Sequence, residues 1–580
     1  MEHKFASLDP KILAIWLSTI AVSSFVLLKS QLDKNKQNNQ MIRNTKLKFE
    51  GIKQTIMGTV NLPELPRELA ERIENATITE LIQGLDNREF NSEEIVITYI
   101  HRIRKVGMPY GAVSNIDFEK ALRKAWILDE ERLSGKKRGL LHGIPISVKD
   151  YFSVKGLPCT IGLSKFINYI QNETSQIVKI LKKQGAIVHV LGSVPQGLSS
   201  LEVVNNLQIR ALNPYDQNRT TGGSSGGDAA LVSLGCCALG LGTDLFGSIR
   251  IPASFCGIYG FRPTCTRISS YSPSGFINPF PCLATGFGPL AKSVEDCALY
   301  MKVACTDTSF NSDPRVIPIC WKEETYKDKR NLKIGYVGSN AYWPLPAAME
   351  RALEIAKQSL HNRGHELIEI QLPDFDLINE LIVCILHNSA VRPNGEAPRH
   401  QSKFLYARSW YGRLRNWISK NKESFYWRAL NLKSGFNFVK TLAKLTKMKE
   451  EFLRRLADLN IDAILAPYPF PAHLHDTYEF LYPGFAYVWF FNLLNCPAGN
   501  VPVGYINEDE QYYNETNEEW TKYMNKLMQN SKGLPINVQV IAAPFRDEMC
   551  LNVMKQLEED IPFWGDRKSS KIGFIHKITN

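Results

Sequence analysis

Two glycine- and serine-rich stretches carry the chemistry. They are Thr220-Thr-Gly-Gly-Ser-Ser-Gly-Gly-Asp228 and Leu239-Gly-Leu-Gly-Thr-Asp-Leu-Phe-Gly-Ser-Ile-Arg-Ile-Pro252. Glycine runs let the backbone approach a reacting carbonyl and offer N–H groups to its developing negative charge. A serine hydroxyl is a weak nucleophile until a base sits within hydrogen-bond reach. A phosphate loop would need G-x-x-x-x-G-K-[ST], which is absent. A flexible linker would not be followed by the apolar run Ala229–Leu234 and a second ordered glycine turn. Gly223–Gly227 fits G-x-S-x-G, the nucleophile elbow, through Ser225. That elbow needs a histidine and an acid downstream, and His473, His475 and His576 sit in no recognisable context. The better reading is a two-serine site with a lysine base. Burial can lower a lysine's pKa and keep it neutral. Lys149 ends the strand-like run Ile144-Pro-Ile-Ser-Val148, which fits such a position.

These segments resemble the motifs of the amidase signature family. His142–Asp150, Gly222–Gly227 and Gly242–Pro252 fall in its order, with 75 residues from Lys149 to Ser224 and 24 more to Ser248. The similarity continues through Phe255–Thr264 and Asn495–Val503 and covers essentially the whole chain. Within the family the chain is most similar to the branch that cleaves fatty acid amides. The features are an N-terminal apolar span, the overall length, an insertion near 400–440 and Gly533–Val540.

The resemblance implies roles residue by residue. Ser248 is the nucleophile that becomes acylated, Ser224 the bridge that shuttles the proton, and Lys149 the base. The Gly223–Ser224 peptide is expected to be cis. The N–H groups of Leu245, Phe246, Gly247 and Ser248 form the oxyanion hole. Leu198 matches a substrate-contacting position, while Ser225, Asp244 and Arg250 support the site from behind. Phe246 departs from the family, which usually has glycine there. A side chain at that point would narrow the acyl site or force a different backbone angle. The resemblance implies no metal and no cofactor, a homodimer, and an endomembrane such as the endoplasmic reticulum.

The elements that position these residues show in the periodicity. Residues 61–130 read as helical, with Leu81, Ile82, Leu85, Ile95, Tyr99, Ile100 and Ile103 at helix-like spacing. From residue 140 strands and helices alternate. Strands are expected at Ile144–Val148, Ala186–Leu191, Leu332–Val337 and Glu366–Leu372. Helices are expected at Ser175–Lys183 and Ala347–Asn362, stopped by Gly185 and Gly364. The pattern predicts an α/β fold, a large mixed sheet covered by helices on both faces. The chain divides into an anchor over 1–30, a linker over 31–60 and one amidase domain over 61–580.

The 580 residues are 44% apolar and 22% charged, a globular composition. Twelve scattered cysteines with no C-x-x-C pair read as buried free thiols. The net charge of +11 admits nucleic acid or an anionic membrane as partner. Its distribution selects the membrane. Ile12–Leu28 is an uncharged run of 17 residues followed by a lysine-rich stretch. It reads as an uncleaved transmembrane anchor rather than a signal peptide, with the catalytic domain in the cytoplasm. Residues 400–440 interleave Trp410, Trp417, Tyr426 and Trp427 with Arg408, Arg413, Arg415 and Lys420, the pattern of an interfacial amphipathic helix. The expected activity is membrane-bound hydrolysis of fatty acid amides. The alternatives are an amidase of smaller or soluble amides, and a catalytically weak membrane lipid-binding protein.

Overall fold

The computed structural model describes residues 62–207, 209–274, 283–388, 435–477, 481–516 and 519–565, together with Gln40, Leu47 and Gly51. Thirteen strands form among them. They are β1 Val113–Ile116, β2 Pro145–Lys149, β3 Ile187–Gly192, β4 Val204–Asn205, β5 Ile209–Arg210, β6 Leu239–Asp244, β7 Tyr259–Arg262, β8 Gly286–Ala291, β9 Lys333–Tyr336, β10 Glu366–Glu369, β11 Ala463–Pro467, β12 Ala498–Tyr505 and β13 Pro535–Ile541. Eleven make one mixed sheet in the order β1-β3-β2-β6-β8-β7-β12-β13-β11-β9-β10. The β4–β5 pair stands apart. β2 runs parallel to both β3 and β6, and β9 to both β10 and β11.

Helices cover both faces, and the register shows which faces which. Gly260 of β7 pairs with Asn500 of β12, so both point the same way. A Cβ on Gly260 would stand 2.6 Å from Ala253 Cβ, which places the helix Arg250–Phe255 on that face. Gly499, one residue off, points to the other face. A Cβ there would meet Met554 Sδ at 2.1 Å, on the helix Asp547–Asp560. The sheet is therefore buried on both sides, and its central strands carry long apolar runs.

Local signals set the helix ends. Thr77 Oγ1 accepts from Glu80 N–H at 3.2 Å while Glu80 Oε2 accepts from Thr77 N–H at 2.7 Å, a capping box that starts Ile78–Asp86. Asn91 and Glu94 repeat it for Ser92–Arg102. Gly364, at φ +88°, follows the helix Ala347–Asn362, as the sequence predicts. Residues 61–130 are not wholly helical: β1 interrupts them. Its four residues are too few to show an alternation, and it forms by antiparallel pairing with β3 across a bulge.

Ten cysteines are free, nine of them buried and Cys320 exposed. Among the described residues no helix is long and apolar enough to cross a membrane. Ile12–Leu28 lies outside the described residues, as do residues 389–434; the helix Gly435–Asp458 covers only the end of the 400–440 segment.

One buried ion cluster ties the sheet to the last long helix. Arg267, 0% exposed, meets Asp547 at 3.0 Å and Glu548 at 2.9 Å in the first turn of Asp547–Asp560. Asp547 also accepts from Thr264 N–H at 2.8 Å. Removing the cation strands two buried carboxylates, which costs about 3–5 kcal/mol. Arg267→Met is expected to lower the urea midpoint accordingly, and an unchanged midpoint would show that the cluster adds nothing to stability.

Candidate active site

Lys149 is the last residue of β2, and its neighbour β6 runs parallel with Ser147 opposite Gly240 and Val148 opposite Leu241. That register brings Lys149 beside Thr243. Lys149 Nζ donates to Thr243 Oγ1 at 2.7 Å, to Thr243 O at 3.4 Å and to Ser224 Oγ at 2.7 Å. An ammonium has three protons, and these are three acceptors.

Ser224 stands on the turn that leads into the helix Gly226–Ser233. The Gly223–Ser224 peptide is cis, as the resemblance implied. The helix lies tightly on β6 because the facing residues there are glycines. A Cβ on Gly240 would press on Asp228 Cβ at 3.1 Å, and one on Gly242 on Ser225 Oγ at 3.0 Å. Ser225 N–H donates to the Ser248 carbonyl at 3.1 Å, which joins the two glycine turns. Ser225 Oγ lies 3.3 Å from both Thr243 N and Thr243 O, so it binds backbone. Among the described residues no histidine hydrogen-bonds to Ser224, Ser225 or Ser248. His473 bonds to Leu474 O, and His475 to Glu202 and Gln217 O.

Access to solvent grows along the three residues. Lys149 is 0% exposed and Ser224 3%, whereas Ser248 is partly exposed. Of the three, Ser248 is the one that solvent reaches.

The loop Leu245–Ile249 is organised by Asp244. Its carboxylate accepts from Gly247 N–H at 2.7 Å, Ile249 N–H at 3.3 Å, Arg250 Nε at 3.0 Å and Asn492 Nδ2 at 2.8 Å. Arg250 is fully buried and also donates to the Val488 carbonyl and to Gln539 Oε1. The Gly247 N–H, one of the four that the resemblance implies for the oxyanion, donates here to Asp244. Gly247 takes φ +83°, and a Cβ there would meet Ile251 and Val488 at 2.6 and 2.8 Å. Phe246 needs no left-handed angle, because that angle falls on Gly247. Its ring is buried edge-on to Trp489 with centroids 6.1 Å apart. Leu198 lies half-buried at φ +62° in the turn Gln196–Leu198. The chain just after it packs on Gly223, where a Cβ would meet Ser200 O at 2.6 Å.

Burial pushes Lys149 down to about 7, partly offset by Asp228 and Asp244. Burial pushes Asp228 up to about 7 against the Ser147 hydroxyl, which donates to its Oδ1 at 2.7 Å. Its Oδ2 is buried without a hydrogen-bond partner among the described residues. Burial likewise lifts Asp150 to about 6 although Ser114 and Thr160 donate to it. Asp244 goes the other way. Burial would raise it, but the Arg250 and Arg262 guanidiniums win and hold it at about 2. The sequence reading missed Thr243, Ser147 and Asp228 as neighbours of Lys149. Asp228 closes the glycine-serine segment itself, and an acid in a first helical turn beside a buried lysine was its signal. Asn492 and Trp489 gave no local signal.

A buried lysine brought to about 7 and bonded to a serine hydroxyl, beside a glycine loop bearing a second serine, has the groups that acyl transfer from an amide needs. The family described as Amidase matches residues 94–551, and the chain belongs to it: it is an amide-hydrolysing enzyme. Two curated relatives sharpen this. The chain is 32% identical over 506 residues to fatty-acid amide hydrolase 1 of Sus scrofa, covering 83% of this chain and 85% of that one. It is 30% identical over 485 residues to fatty acid amide hydrolase 1 of Caenorhabditis elegans, covering 80% and 84%. A solved structure of a fatty acid amide hydrolase shares the fold, with TM-score 0.71 at 22% identity over 92% of this chain and 95% of that one.

Amide hydrolysis is expected to rise with pH through about 7, as Lys149 gives up its proton. Asp228 favours the ammonium, so Asp228→Asn lets the amine deprotonate at lower pH. The acid limb of the pH–rate profile should shift down and sharpen to a single-proton step. A limb that stays where the wild type has it would show that the two groups are not coupled.

Proposed function

We propose that this enzyme is a membrane-bound serine hydrolase that cleaves fatty acid amides of the acylethanolamide type, through an acyl-enzyme on Ser248. The observation that carries the reading is the buried Lys149 amine 2.7 Å from Ser224 Oγ, with the partly exposed Ser248 on the adjoining glycine turn, whose carbonyl accepts from the Ser225 N–H. The likeness to the pig and nematode fatty acid amide hydrolases supports the substrate class. The apolar run Ile12–Leu28 and the aromatic, basic residues 400–440 support membrane attachment, and residues 61–580 act as one amidase unit. A homodimer in an endomembrane, with the site on the cytoplasmic side, completes the reading.

In this scheme Ser248 Oγ adds to the amide carbonyl as its proton passes to Ser224 Oγ. Ser224 hands its own proton to neutral Lys149. The ammonium so formed keeps Thr243 Oγ1 and Thr243 O as acceptors. The N–H groups of Leu245, Phe246 and Ser248 receive the oxyanion, since Gly247 is engaged by Asp244. The C–N bond breaks as the proton returns through Ser224 to the leaving amine. Water then enters, loses a proton along the same relay and releases the fatty acid, and Ser248 recovers its proton. No metal or cofactor takes part. Arg250 serves by holding Asp244. Leu198 lines the substrate path beside Gly223.

A fluorophosphonate probe is expected to label the wild type and not Ser248→Ala. Labelling of the alanine variant would end the assignment of the nucleophile. Turnover of small soluble amides alone, across a panel of acyl chain lengths, would replace the lipid substrate by a smaller one. A chain lacking residues 1–30 is expected to stay with sedimented membranes through 400–440. Its complete recovery in the soluble fraction would remove that segment's role.

A further inference from the structure

The peptide between Phe246 and Gly247 is held at both ends. The Phe246 carbonyl accepts from Trp489 Nε1 at 3.0 Å, and the Gly247 N–H donates to Asp244 Oδ1 at 2.7 Å. The C=O and N–H of a trans peptide point in opposite directions within one plane. Fixing both fixes the rotation of that plane. The flanking Phe246 and Ser248 N–H groups belong to the two peptides hinged on this plane, each one φ/ψ pair away.

Trp489 is itself immobilised. It is 1% exposed on the helix Ala486–Leu493, stacked on Phe485 at 5.5 Å and packed edge-on against Tyr482 at 4.3 Å. The same helix supplies Asn492 to Asp244 and the Val488 carbonyl to Arg250. One helix thus holds the loop at Phe246 and the two residues that flank it, Asp244 and Arg250. An indole N–H can only donate, and here its acceptor lies in the backbone beside Ser248.

The geometry points to Trp489 as a positioning residue for amide hydrolysis: through the Phe246 carbonyl it sets the backbone plane whose neighbouring N–H groups meet the oxyanion. The inference rests on Ser248 being the nucleophile. A purely structural Trp489 would change stability and leave turnover of the folded enzyme intact. A positioning Trp489 acts on kcat, because the oxyanion exists only during reaction.

Trp489→Phe keeps a ring in the packing and removes the donor. It is expected to lower kcat for a fatty acid amide about 10- to 100-fold, with KM within about twofold. Replacing the Trp489 side chain by its benzothiophene isostere keeps the ring's shape and loses only the N–H. It should show the same kcat loss with an unchanged thermal midpoint, and it decides the matter if Trp489→Phe does not fold. Wild-type kcat in the isostere, or a loss confined to KM, would overturn the role. The wild type's reaction with a fluorophosphonate separates the two readings. An unlabelled wild type fails the Ser248 assignment. Normal labelling beside an isostere with undiminished kcat fails only the role of Trp489.

Discussion

A carboxylate buried out of reach of water must be met by positive charge and hydrogen-bond donors, and Asp244 has both. Arg250 and Arg262 supply the charge, and Gly247, Ile249 and Asn492 supply N–H groups. This ion pair does more than offset its own desolvation. Asp244 ends β6, and Arg250 opens the next helix, so the pair closes the loop that carries Ser248. Arg250 then reaches Gln539 on β13, while Asn492 comes from a helix almost 250 residues further along the chain. Loop, sheet and helix meet on one carboxylate, and the shape of the site depends on its staying charged.

Acid–base behaviour follows from how each group is answered. Asp244 faces guanidiniums and is held low. Asp228 faces a hydroxyl and a lysine and is lifted by burial. Burial brings Lys149 toward neutrality, against the pull of both carboxylates. Burial acts on all three, and only at Asp244 do the partners outweigh it. A lysine near 7 beside a serine hydroxyl can both take and return a proton close to neutral pH.

Much of this was legible in the sequence. Lys149, Ser224, Ser225 and Ser248 lie in segments whose glycines and spacing announced them, and the strand before Lys149 fell within a residue of its place. Helix stops at Gly185 and Gly364 were equally plain, because positive φ leaves a local mark. What stayed hidden depends on tertiary pairing. β1 exists only through β3. Trp489 and Asn492 look like ordinary members of the apolar helix Ala486–Leu493. The Gly247 N–H looked available until the reach of Asp244 was known. Phe246 looked like an intrusion, yet its carbonyl and ring both have partners on that helix.

The parallel register of β2 and β6 has a consequence for quality control. Lys149 and Thr243 meet because adjacent strands are in step, Ser147 against Gly240. A slip of one residue would turn every side chain of β2 to the opposite face. Lys149 would then leave Ser224, and no partly misregistered chain could keep that contact. A misassembled copy would therefore be inert rather than an indiscriminate hydrolase, and catalytic competence becomes a report on correct folding.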